Sequence, residues 1–241
     1  VTHQCSYCGR LAPESEVLRT STATVCAACK PAYVHGLERG NALRRPPFRD
    51  LSGHTRWLHG LLIAGMLLSV MVLITDFLEL LRLRREGTPA DPDLSTTADL
   101  AQLGLALLSL PIWLGGMVLF FAWVYRAKAN TAALGAAHLR FTPGWAVGWY
   151  FIPVANFWKP YLAMRELWQA SHDPGAWPRV ACPGLLRGWW LLWLLWLLSN
   201  PIVIYTALQT GSVRAEMVGT LAGIAAILVD LGLSLAILAL I

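Results

Sequence analysis

The stretch Phe141-Thr-Pro-Gly-Trp-Ala-Val-Gly-Trp-Tyr-Phe-Ile-Pro-Val-Ala-Asn-Phe-Trp-Lys-Pro-Tyr161 is apolar enough for a buried helix, yet three prolines and two glycines interrupt it. Around it lie four apolar runs, at 57–81, 98–125, 185–209 and 216–241. Each is long enough to cross ~30 Å of hydrocarbon. The 241 residues are 56% hydrophobic and only 14% charged, where a soluble domain carries about 25% charged residues. Twelve tryptophans fit the same picture, because indole favours the membrane–water boundary. The chain therefore reads as a multi-pass membrane protein. The quoted stretch decides whether it has four spans or five.

Lysine and arginine counts separate the two topologies. Without a crossing at 141–161, residues 1–56 hold eight and residues 126–188 hold seven, both on one side, against four in the opposite loops. With a crossing, Lys159 to Arg187 change sides and the split becomes twelve to seven. The positive-inside rule selects the first arrangement. The expected fold is mainly α: a four-helix transmembrane bundle with both termini cytoplasmic and a re-entrant or interfacial Pro-Gly-Trp motif over 141–172. Broken backbone at membrane depth is tolerated where protein covers it. The net charge of +5 is explained by this topology rather than by nucleic acid, since the basic residues sit beside apolar spans. No cleavable signal precedes the first span, which is expected to act as the insertion signal.

Within the motif, Gly144-x-x-x-Gly148 offers a face for close helix approach. Pro153 and Pro160 remove backbone donors, and Asn156 between them suits capping of a broken helix end. Prolines and caps have sufficient structural cause, so a kink and a helix start outweigh a ligand site here. The functional alternative is a small polar pocket using Asn156, Lys159, Arg165, Glu166 and Asp230. Asp230, ~21 Å from the outer end of the last span at helical rise, is an intramembrane carboxyl group that needs a partner. Arg126, Lys159, Arg165, Arg187 and Asn156 are the candidates. Asp76 and Glu79 sit near Arg82 at the outer interface. Arg126 to Arg140 reads as a short surface helix. Asn200-Pro201 reads as a kink in which Asn200 bonds a freed carbonyl. Gly219-x-x-x-Gly223 reads as a packing face, within the bundle or between copies of a homo-oligomer. Trp189, Trp190, Trp193 and Trp196 form an aromatic belt.

The N-terminal 40 residues carry Cys5-Ser-Tyr-Cys8 and Cys26-Ala-Ala-Cys29. Two C-x-x-C pairs at this separation match a zinc ribbon. Four thiolates leave no open coordination position, so the Zn2+ is structural. A knuckle, a polar hairpin from Pro13 to Thr24 and a second knuckle are expected, with Gly9 in the first tight turn. A basic linker over 41–56, containing Arg44-Arg45-Pro46-Pro47, joins this head to the membrane domain at 57–241. Cys182 stands apart as a spectator. Reduced thiolates belong in the cytoplasm.

Arg126, Asn130, Leu134-Gly135, the Pro143 to Trp149 motif, Phe151-Ile-Pro153, Asn156, Pro160-Tyr161 and Glu166-Leu-Trp168 together resemble the signature of a bacterial membrane family, domain-of-unknown-function family 4328. The resemblance covers most of residues 57–241 and implies a multi-pass fold and a bacterial inner-membrane location, in a family whose members often carry a zinc ribbon or a proline-rich cytoplasmic tail. It implies no catalytic residues. G-x-S-x-G, H-E-x-x-H and P-loop motifs are absent from the sequence, which argues against the common enzyme classes. The first functional reading is a non-enzymatic scaffold or regulator, anchored in the lipid bilayer, whose ribbon docks a cytoplasmic protein. The alternatives are a small transporter or channel using the broken helix and Asp230, and a lipid-modifying membrane enzyme.

Overall fold

A computed structural model describes residues 2–20, 23–43, 46–88, 97–209 and 212–241. The basic pair Arg44-Arg45 lies outside them. The fold is 74% helical. It opens with two antiparallel hairpins, β1 (Thr2–Gln4) with β2 (Leu11–Pro13) and β3 (Val17–Arg19) with β4 (Thr24–Cys26). Helix α1 (Lys30–Leu43) follows. Then come α2 (Ser52–Glu86), α3 (Thr97–Ala133), the short α4 (Pro143–Gly148), α5 (Lys159–His172), α6 (Gly184–Ala207) and α7 (Val213–Leu240). Of these, α2, α3, α6 and α7 are long and apolar enough to cross a membrane.

The 141–172 stretch forms no fifth span. Pro143 occupies the first turn of α4, and Pro160 the first turn of α5, where a missing N–H breaks no intrahelical bond. Thr142 caps α4 by accepting a hydrogen bond from the Trp145 N–H at 3.3 Å. Two 3₁₀ turns, Trp149–Phe151 and Ala155–Phe157, carry the chain past Pro153. Pro143 and Pro160 thus supply the expected helix starts, each at the head of a short helix. At ~1.5 Å per residue, the 14-residue α5 is about 21 Å long, short of the hydrocarbon thickness.

Three expectations change. The surface helix expected over 126–140 is the continuation of α3, because nothing between Arg126 and Ala133 breaks a helix. Gly135 ends it with φ +100°, donating to the Ala132 carbonyl while Ala136 donates to that of Thr131. That is a Schellman stop. Helices also reach into the linker from both sides, α1 to Leu43 and α2 from Ser52. Helix α6 runs on through Pro201. Asn200 bonds the Trp196 carbonyl at 2.6 Å, one residue before the carbonyl that Pro201 leaves without its helical donor.

Helix α2 packs against α3 and α7, and α7 packs against α6. The main core sits at one end of the bundle. There Leu58 of α2, Val124 of α3, Leu167 of α5, Trp189 of α6 and Ile237 of α7 are buried together. Further along the helices, side chains such as Ile74, Leu107, Leu198 and Leu221 point outward, as a hydrocarbon-facing surface requires.

Candidate metal centre and intramembrane cavity

The hairpins position the cysteines. Strands β1 and β2 bracket the first knuckle, a pairing the sequence did not announce; β3 and β4 form the expected hairpin and deliver Cys26 to the second. Gly9, at φ +74°, closes the first turn by donating to the Cys5 carbonyl. The backbone N–H groups of Cys26 and Tyr7 each reach the Cys5 sulfur at 3.4 Å. All four sulfurs lie within 4.8 Å of one another. Sulfurs on a tetrahedral zinc at ~2.3 Å would stand about 3.8 Å apart, and Cys8 and Cys26 are 3.8 Å apart. The donor set fits a metal ion. Hydrogen bonds from the Cys26 backbone and then the Cys8 backbone hold the Cys5 thiol down at about 6. Hydrogen bonds with Cys8 and then Cys26 push Cys29 up to about 12. One ligand is thus ready as thiolate, and metal binding must displace the proton of another.

The five residues expected to share a pocket do not share one. Glu166 is buried and ion-paired to Lys128 of α3, whose side chain is also buried. Its oxygens also accept the backbone N–H groups of Arg140 at 2.9 Å and Phe141 at 3.1 Å. The carboxylate therefore joins α3, the start of the motif and α5. Asn156 caps no helix; its Oδ1 accepts a hydrogen bond from the Trp193 indole at 3.3 Å. Lys159 lies over the Trp149 ring at 5.1 Å. Arg165 is exposed on α5.

Asp230 pairs with none of its expected partners. It accepts from the Ser69 hydroxyl of α2 at 3.4 Å. Arg126 lies instead 3.3 Å from His54. The glycine faces also separate. At Gly144 an added Cβ would meet nothing within 4 Å, and at Gly148 only the neighbouring Trp145 ring. At Gly219 it would meet Thr206 of α6 at 3.7 Å, and at Gly223 the carboxyl of Asp76 on α2 at 3.4 Å. The second face packs within this chain. Asp76 consequently faces α7, while Glu79 keeps its expected ion pair with Arg82.

Four helices leave a cavity of about 190 Å³ around Asp230 and Ser69. The model of the family described as "Domain of unknown function (DUF4328)" matches residues 86–241. The chain belongs to that family. No curated protein and no solved structure matches it. The DUF4328 segment begins at the last residue of α2 and takes in the buried ion pair, the Pro-Gly-Trp motif and Asp230. Ser69 and the four cysteines precede it.

Lys128 and Ser69 are the residues contacting the candidate site residues Glu166 and Asp230 that the sequence did not single out. Lys128 had one signal: a lysine in an otherwise small, alanine-rich turn, where a solvated face would hold several charges. Ser69 had none, since a lone serine in a span is common and its role depends on which helix faces it.

Proposed function

We propose that this chain is a non-enzymatic docking protein of the bacterial inner membrane, whose head binds structural zinc and holds a protein partner in the cytoplasm. The observation that carries the reading is the four-sulfur set. A closed tetrahedral site holds a fold together and offers no coordination position to a substrate. Lysine and arginine placement puts the head on the cytoplasmic side, where thiolates stay reduced. Tyr7, Leu11 and Leu37 expose apolar surface on that head, Leu11 to 66%. The test is capture of partners by a photo-crosslinker placed at Leu11, comparing wild type with a Cys5→Ser, Cys8→Ser variant. A partner set that depends on the cysteines supports docking, and identical sets sink it.

A second reading, a small transporter or channel, is favoured by Asp230 in the mid-bundle cavity. Solute flux in liposomes that survives Asp230→Asn unchanged removes it. Of the side chains weighed for lipid chemistry, Asn156, Lys159 and Glu166 engage separate partners and Arg165 is exposed, which weakens the enzyme reading.

A further inference from the structure

Ser69 is midway between Trp57 and Leu81, the bounds of the first apolar run. Its contact with Asp230 therefore lies near the middle of the membrane. Among the residues lining the cavity, Asp230 is the one ionisable side chain, and aromatic rings of α3 and α6 (Trp113, Phe120, Phe121, Trp193 and Trp196) make up much of the wall. We propose that this cavity binds a lipophilic organic cation: a quaternary or protonated ammonium carried on an apolar body.

Three observations select that class. First, Asp230 is poorly satisfied. Its hydrogen bond to Ser69 is long at 3.4 Å, near the limit of a useful bond, and a carboxylate at this depth is costly without a charged or strongly donating partner. A cation that brings its own charge supplies what the protein does not. Second, aromatic faces attract ammonium groups and tolerate an apolar substituent, the combination found in aromatic cages. A hard metal ion would want six or more oxygens. Here it would find one carboxylate and three serines, and Ser109 already donates to the Leu105 carbonyl at 2.7 Å.

Third, the cavity has a thin wall on its lipid side. The backbones of α3 and α6 scarcely approach each other. Trp113 bridges them by stacking on Trp196, with ring centroids 6.3 Å apart and planes at 26°. Trp113 itself is 45% exposed. A ligand approaching from the bilayer would meet this indole pair first. A lipid headgroup carries similar chemistry but stays at the interface, whereas Asp230 meets Ser69 at mid-membrane.

The test uses the full chain in phosphatidylglycerol nanodiscs and calorimetric titration with benzyltrimethylammonium. Its uncharged isostere neopentylbenzene serves as the control. Saturable one-to-one binding of the cation is expected, with the neutral compound at least about tenfold weaker. Asp230→Asn should lose about tenfold or more, and Trp196→Leu several-fold, without loss of monodispersity. Equal binding of the two compounds, or an affinity indifferent to Asp230→Asn, overturns the proposal. Should Asp230→Asn fail to fold, the comparison of the two compounds on wild type decides alone. Repeating the titration in phosphatidylcholine nanodiscs separates the sources. Unchanged affinity supports a free cation, and strong competition by the choline lipid overturns that assignment in favour of a headgroup.

Discussion

Lys128 of α3 and Glu166 of α5 form an ion pair with both side chains removed from solvent, and the same carboxylate holds the backbone at Arg140 and Phe141. The pair fixes where the motif leaves α3. Removing one partner of a buried pair strands the other and costs about 3–5 kcal/mol. Lys128→Met and Glu166→Gln should each destabilise on that scale in detergent. The double variant should lose clearly less than the sum, because no uncompensated charge remains. Thermal unfolding of the four proteins checks this, and additive losses would contradict the coupling.

Chelation should separate the head from the bundle. The two hairpins are three residues per strand, too short to persist without a staple. Metal analysis should give one zinc per chain. After chelator treatment, trypsin should cut at Arg10 and Arg19 while α2 to α7 stay intact. Unchanged protection of those two sites would count against a metal-ordered head.

The two glycine motifs should behave oppositely. Gly223→Leu drives a side chain against Asp76 and should cost about 1–3 kcal/mol by overpacking. Gly144→Leu meets open space within 4 Å and should leave the monomer's stability unchanged. If Gly144 sits at an interface between copies, the same substitution lowers the oligomer's mass in solution, which light scattering would detect.

Asn156→Leu should expose the cost of an orphaned indole. Trp193 loses its acceptor, a penalty of about 1–3 kcal/mol for a buried polar group. Asn156→Asp retains an oxygen and should recover much of the loss. Equal unfolding temperatures for the two variants would mean that the 3.3 Å contact carries no weight.

Asp50 provides a pH-dependent start to α2. Hydrogen bonds from the Ser52 hydroxyl and then the Ser52 N–H hold its carboxyl below the usual carboxylate range. With the folded value depressed, the stabilisation is complete above the unfolded value near 3.9 and is lost as pH falls through the lower folded value. Protection of the Ser52 amide relative to its intrinsic exchange rate at each pH should therefore be constant near neutral pH and fall only in strong acid. Asp50→Ala should lack that protection throughout.

Apolar run length alone identified the four long helices, because a span must satisfy its backbone internally and so declares itself as a continuous run. Charge placement rejected a fifth crossing at 141–161. Cysteine spacing brought out the metal-ligand set, since a knuckle is a local structure closed within a few residues. Gly135 was equally readable as a helix stop, yet a basic, alanine-rich turn looked like a surface helix when nothing in sequence revealed that Lys128 had a buried partner.

Pairing across helices was decided only by the tertiary structure. Asp230 has many polar residues within plausible reach in sequence, but helix rotation and tilt select Ser69. Both Gly-x-x-x-Gly motifs offer the same small face, and only the positions of α2 and α6 make the one at Gly219 and Gly223 a contact. Pro143 and Pro160 in sequence suited a kink and a helix start; in the fold they start helices. Composition and spacing thus determined which segments are long and apolar enough to cross a membrane and which residues can gather a metal. The partner of each buried charge followed from how the helices pack, because a charge is satisfied by what stands opposite it in space.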